Sequence, residues 1–206
     1  MASQFPVLAR LLATNAQWAK DVEIAEPGFF AASAQGQSPK VLWIGCADSR
    51  VPESVVTASK PGDIFVHRNI ANQFPLHDVN AEAVLEYAVG HLGVEHVIIV
   101  GHSKCGGAAA CLAAAQHPTG LADPEAGPDA PLNKWLAPLV AIASSLVNAY
   151  PETLIEENIK AQVENAAQSH TIKEAWHKGK KVYVHGWLYE IEKGTLKDLG
   201  ITKGPQ

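Results

Sequence analysis

Two thiols and one imidazole in this 206-residue chain stand where a metal ion could use them. Cys46 follows the apolar run Val-Leu-Trp-Ile-Gly at 41–45, and His102 and Cys105 follow Val-Ile-Ile-Val-Gly at 97–101. Both runs have the length and residue types of buried strands, and in an open parallel sheet ligands collect at the carboxyl ends of strands. Mixed thiolate and imidazole donors suit zinc, and three protein ligands leave its fourth position open, as in a catalytic rather than a structural site. The His-x-x-Cys spacing lets two ligands reach one ion from a single turn, with Gly101, Gly106 and Gly107 to let the backbone bend closely around it. Spacing alone does not establish a metal. The loop after Cys46 adds Asp48 and Arg50. A carboxylate beside a metal-bound water can orient it, and a bidentate arginine can hold that carboxylate ionised. A plain surface salt bridge is the alternative for such a tripeptide.

Those residues need a frame, and the pattern supplies alternating strands and helices, the mark of a parallel α/β sheet. Strands are expected at 41–45, 64–66, 97–100 and 182–189, with an antiparallel edge strand at 195–199 after the Gly194 turn. The fold class is therefore α/β: a mainly parallel central sheet of four strands plus the edge strand, flanked by helices, with an N-terminal helical arm. A short crossover helix is expected over 52–59, and Ala81, Val84, Leu85, Ala88 and Leu92 mark one face of a helix stopped by Gly93. An alanine-rich helix starts near Gly106, and the Pro-rich stretch 116–131 reads as a surface loop. Two later helices carry Leu136, Leu139, Val140, Ala143 and Val147, and Ile155, Ile159, Val163 and Ala166. The second of these is expected to open with a capping box at Thr153 and Glu156. Phe5, Leu8, Leu11 and Leu12 recur at helical spacing, so the arm at 1–30 must bury an apolar stripe on something.

At 47% hydrophobic and 18% charged, the composition is that of one globular domain spanning 1–206. A formal charge of −5 gives no electrostatic reason to expect nucleic acid or an anionic membrane as partner. Three cysteines, two with a metal role, argue against a disulfide framework and for a reducing, cytoplasmic setting. The absence of acidic residues before Asp21 keeps a mitochondrial presequence as the alternative. His67, His170, His177 and His185 could carry protons by chemistry, although strand or solvated-helix positions account for each; Cys111 reads as a small buried thiol.

Cys-Ala-Asp-Ser-Arg at 46–50, His-Arg-Asn-Ile-Ala-Asn at 67–72 and Gly-His-Ser-Lys-Cys-Gly-Gly at 101–107 resemble, in this order, the signature segments of the β-class carbonic anhydrases of fungal or bacterial type. The similarity covers the order of elements from about Gln37 to Leu199. The resemblance implies one zinc ion per chain on Cys46, His102 and Cys105, with Asp48 and Arg50 as catalytic dyad. The implied reaction is reversible hydration of carbon dioxide to bicarbonate and a proton by zinc-bound hydroxide. It further implies a homodimer or homotetramer, with an apolar substrate pocket at a dimer interface at Gln37, Phe65, Ile70, Tyr87, Gly106 and Gly107. Taken alone, Phe65, Ile70 and Tyr87 read as core packing. In one subgroup the aspartate leaves its arginine for the fourth zinc position, and a Trp, Arg and Tyr form a second, non-catalytic bicarbonate site. The matching residues are Trp43, Arg68 and Tyr189.

Two other readings fit the same residues. One is hydrolysis of CS2 or COS on this scaffold, since both are linear electrophiles like CO2. The other is a non-catalytic, zinc-stabilised module in which Cys46 and Cys105 only hold the fold; an Asp48–Arg50 pair would then have no water to orient.

Overall fold

A computed structural model describes residues 4–147 and 150–205, so the first three residues of the expected arm lie outside it. The chain forms two compact units, one ending at Gln37 and the other starting at Ser38. In the first, helix α1 (Pro6–Ala25) begins with proline at its first turn, and α2 (Phe29–Ser33) follows the left-handed Gly28. Trp18 meets Phe30 edge-on, with ring centroids 5.6 Å apart. No residue of α1 is buried, and Phe5, Leu8, Leu11 and Leu12 are all exposed.

The second unit is a five-stranded sheet flanked by helices. Its strands are β1 (Val41–Cys46), β2 (Ile64–Asn69), β3 (His96–His102), β4 (Tyr183–Glu190) and β5 (Thr195–Asp198), in the order β2-β1-β3-β4-β5. The first four strands in that order pair in parallel and β5 is antiparallel to β4, as the sequence pattern predicts. From β1 the chain moves outward to β2 and then crosses back to β3, so the order reverses at the β1/β3 boundary. Ligand crevices open at such a switch point, at the carboxyl ends of the strands. Cys46 ends β1 and His102 ends β3.

Alternate residues of the buried strands face two different cores. Leu42, Ile44, Val97, Ile99 and Val184 join the larger core with α4 (Val79–Glu86), α5 (Gly106–Gln116), α6 (Pro131–Ser145), α7 (Pro151–Gln168) and α8 (His170–His177). Trp43, Ile98, Val100 and Tyr189 form a smaller core on the other face with Val51. Helix α7 can approach the sheet because two glycines lie beneath it. A Cβ on Gly101 would stand 2.7 Å from Ile159 Cδ1, and one on Gly186 would stand 2.5 Å from Ile201 Cδ1 and 2.9 Å from Ile159 Cγ2. Gly186→Ala is therefore expected to overpack this seam, costing about 1–3 kcal/mol. Calorimetry at fixed protein concentration should show a melting temperature lower by roughly 2–12 °C, and an unchanged value would contradict the packing argument.

Several boundaries differ from expectation. The crossover helix α3 spans only Glu53–Val56. Strand β2 runs on through His67, Arg68 and Asn69, because the edge of a sheet tolerates polar side chains. The helical face ending at Gly93 is α-helical only to Glu86, and Tyr87–Leu92 forms a π-helical turn. The capping box is absent: α7 starts at Pro151, with Tyr150 before it, so Thr153 and Glu156 already lie inside the helix. Proline at the first helical position supplies the start instead.

Candidate metal centre

The ligand atoms of Cys46, His102 and Cys105 lie within 4.8 Å of one another, and all three residues are buried. Three local features present them. Strand β1 carries Cys46 to the switch point, β3 carries His102 beside it, and Cys105 caps the N-terminus of α5. His102 Nδ1 donates to the Ser103 carbonyl at 2.8 Å, which leaves the lone pair on Nε2. That Nε2 is buried with no hydrogen-bond partner among the described residues. A buried nitrogen left without a partner is costly unless something absent from the protein satisfies it.

The thiols are prepared in the same sense. The neighbouring Cys105 thiol is the largest influence lowering the Cys46 pKa; the adjacent His102 and the amides of Asp48 and Ala71 lower it further. The adjacent Cys46 sulfur and burial push Cys105 up, although the Gly107 and Ala108 amides at the helix N-terminus favour its thiolate. Burial pulls the His102 pKa down, yet the adjacent Cys46 sulfur and the Ser103 carbonyl outweigh it and raise it. The pocket thus draws a cation toward these three atoms. A divalent ion that takes thiolate and imidazole ligands fits them, and zinc has this ligand chemistry.

Asp48 and Arg50 form the pair expected of them. Arg50 donates from Nη2 to Asp48 Oδ2 at 2.7 Å and from Nε to Oδ1 at 3.0 Å, while its own amide donates to Oδ1 at 2.9 Å. This guanidinium holds the Asp48 carboxyl well below the usual carboxylate range. The carboxylate faces the ligand set: Asp48 Oδ2 lies 3.9 Å from His102 Nε2. Arg50 also donates to the Lys104 carbonyl at 3.1 Å, tying the loop after β1 to the loop after β3.

The other predicted residues divide. Ile70 and Gly107 are adjacent, a Cβ on Gly107 falling 3.3 Å from Ile70 Cγ2, whereas Gly106 has open space around it and needs no glycine for packing. Phe65 stacks on Tyr87 at 5.8 Å. The core-packing reading fails for Ile70 and Tyr87, which are 42% and 48% exposed. Ile70 also lines a cavity of about 450 Å³ with Ala47, Leu132 and Trp135. Gln37 belongs to the first unit. Trp43 and Tyr189 share the smaller core. The Trp43 indole lies over Gly45, where a Cβ would clash with its Nε1. Arg68 stands opposite Gly45 and donates to the carbonyls of Cys46 and Asp48.

Sequence reasoning missed His91, whose ring lies 5.3 Å from that of Tyr87. It also missed the contribution of α7, whose Asn158 and Gln162 are buried beside the Ile70–Asn72 turn. A helical position that is polar between apolar neighbours was the available signal. Of the histidines considered as proton carriers, His67 is buried and accepts at Nε2 from Asn69, and His185 pairs with His96 at 3.0 Å. Cys111 is buried, as expected.

The family model described as carbonic anhydrase matches residues 41–196. A carbonic anhydrase of Emericella nidulans is 34% identical over 201 residues, covering 93% of this chain and 83% of that protein. A tetrameric β-carbonic anhydrase of Sordaria macrospora superposes with a TM-score of 0.84 at 36% identity, covering 96% of this chain and 99% of that one. The Coccomyxa β-carbonic anhydrase, solved with acetazolamide, gives 0.82 at 30% identity, over 95% and 87% of the two chains. With its signature loops folded around one thiolate–imidazole set, the chain belongs to the β-carbonic anhydrase family.

Proposed function

We propose that in this β-carbonic anhydrase the reversible hydration of carbon dioxide to bicarbonate and a proton is carried by Cys46, His102 and Cys105 as zinc ligands and by Asp48 and Arg50 as catalytic dyad. The observation that carries this reading is the 3.9 Å approach of an arginine-clamped carboxylate to the buried, unpartnered Nε2 of the ligand set. Zinc held there would supply the Lewis acidity that generates a hydroxide nucleophile, and two thiolate ligands would place that ionisation toward alkaline pH. With the ion bound, Asp48 would accept a hydrogen bond from the attacking oxygen and orient it toward the substrate. Arg50 keeps Asp48 ionised and fixed in rotation by two parallel bonds. Buried Cys46 and Cys105, as thiolates, would lend two negative charges that balance the divalent ion.

The substrate pocket is assigned to Phe65, Ile70, Tyr87, Gly106 and Gly107. Exposed Ile70 and Tyr87, together with the unburied apolar residues of α1, support a homo-oligomer that covers them. A single-chain mass in solution would overturn that assembly. Among the described residues no helix is long and apolar enough to cross a membrane. We extend the reading to Trp43, Arg68 and Tyr189 as a second bicarbonate site. It is supported by Arg68 holding the carbonyls of Cys46 and Asp48, so that an anion drawing Arg68 away would loosen the catalytic loop.

Both parts are tested together by metal analysis and stopped-flow hydration in rising bicarbonate. The expected result is one zinc per chain, with CO2 hydration that bicarbonate inhibits cooperatively. Hydration without zinc would refute the ligand set, and simple competitive inhibition would refute the second site.

A further inference from the structure

Ser103 and Lys104, the two residues between His102 and Cys105, are gripped by one side chain from another part of the fold. The chain leaves β4 through a turn at 191–194 before starting β5, and that turn carries Glu192. Glu192 Oε2 accepts from Ser103 Oγ at 2.5 Å, and its other oxygen lies 3.5 Å from Lys104 Nζ. Ser103 Oγ in turn accepts from the Ile191 amide at 2.8 Å, and the Ser103 amide donates to the Tyr189 carbonyl at 2.9 Å. The serine hydroxyl is therefore fully committed, its proton to a carboxylate and a lone pair to an amide.

Both gripped residues act on the site through their carbonyls. The Ser103 carbonyl accepts from His102 Nδ1 at 2.8 Å, which fixes the tautomer and orientation of that ring. The Lys104 carbonyl accepts from Arg50 Nη2 at 3.1 Å, and the same nitrogen donates to Asp48 Oδ2. Lys104 reaches this position with φ 55°, a left-handed conformation that crowds a Cβ against the following carbonyl. Such a backbone persists only where its surroundings hold it. The Lys104–Glu192 ion pair holds weakly, since its side chains are 61% and 51% exposed. The bond from the Ser103 hydroxyl to the carboxylate is short and charge-assisted, so it carries most of the grip.

We propose that Glu192 is a positioning residue of the metal centre: through Ser103 and Lys104 it holds the loop between His102 and Cys105, and so sets the orientation of the His102 imidazole and the anchor of Arg50. This rests on His102 and Cys105 being metal ligands. Glu192 lies 89 positions after Ser103, outside the three segments that carry the family resemblance.

Two readouts test it: zinc affinity, measured by competition with a chromogenic chelator, and the visible d–d absorption of the cobalt(II) form, which follows ligand geometry. Removing a direct partner of a metal ligand costs roughly 10–100-fold in affinity, and here a serine stands between. Glu192→Leu should therefore weaken zinc by about threefold to tenfold and change the cobalt spectrum. Glu192→Gln keeps an oxygen acceptor for the Ser103 hydroxyl and should restore both readouts to near their wild-type values. Glu152→Leu is the control for charge: Glu152 lies 4.0 Å from the same Lys104 ammonium, so its loss removes a negative charge while leaving the Ser103 bond in place. Both glutamates are exposed, and these variants should fold. Wild-type affinity and spectrum in Glu192→Leu would overturn the proposal. An equal loss in Glu192→Gln or Glu152→Leu would assign the effect to net charge and overturn it too. A wild-type protein that binds no zinc would overturn the ligand set, and the proposal with it.

Discussion

Asp48→Asn is expected to keep its zinc and to hydrate carbon dioxide roughly 10²–10⁴ times more slowly, the range over which a positioned proton-handling group acts. The substitution preserves size and leaves Cys46, His102 and Cys105 untouched, so metal content should stay at the wild-type level. What changes is the match with Arg50. The guanidinium presents two N–H groups to two carboxylate oxygens, at 3.0 and 2.7 Å. Asparagine can accept only one of them, and its amide nitrogen turns a donor toward the other. The side chain must rotate or the pair must part, and in either case the acceptor facing His102 Nε2 is lost or replaced by a donor. Stopped-flow hydration beside metal analysis checks this. Full activity with full zinc would remove Asp48 from the mechanism, and loss of zinc would mean that Asp48 supports the ion itself.

The parts of this site that the sequence revealed are those whose chemistry is carried by side-chain type at strand ends. Cys46 and His102 were legible because four or five apolar residues precede each, and such runs form buried strands whatever follows. Strand β2 was cut short at Val66 because His67 and Arg68 break the apolar run, although His67 is buried and Arg68 is bound to two carbonyls. The π-helical turn at 87–92 was invisible, since its apolar spacing differs too little from that of an α-helix. The left-handed turn at Ala71–Asn72 carried no signal at all. Its conformation comes from hydrogen bonds with Gln73 and Asn158, and sequence reasoning looks for glycine at such positions. Ile70 and Tyr87 illustrate the converse. By residue type alone both read as core, yet they are exposed, which is the pattern of a surface that meets a partner or a substrate.

Cys105→Ser should have the opposite signature to Asp48→Asn: zinc falls well below one per chain and hydration falls with it, while the fold of the apo-protein is retained. Cys105 is the better thiol to remove because of where it sits. It occupies the position before the first turn of α5, and the Gly107 and Ala108 amides favour its thiolate. Serine is among the preferred residues there and can accept the same N–H groups, so the helix keeps its start. The metal fares differently. A serine hydroxyl is a hard, reluctantly ionised donor where zinc prefers thiolate, and Cys46 and His102 alone leave the ion one protein ligand short. Zinc-dependent stabilisation should disappear as well: an ion present at 100 times its dissociation constant contributes about 2.7 kcal/mol to the folded state. Thermal melts with and without added zinc should therefore separate for the wild type and coincide for Cys105→Ser. The pair of variants discriminates the two roles of the metal. A purely structural ion in a non-catalytic module would give no hydration in the wild type and make Cys105→Ser unfold, whereas a catalytic ion makes Asp48→Asn inactive with zinc in place and Cys105→Ser inactive without it.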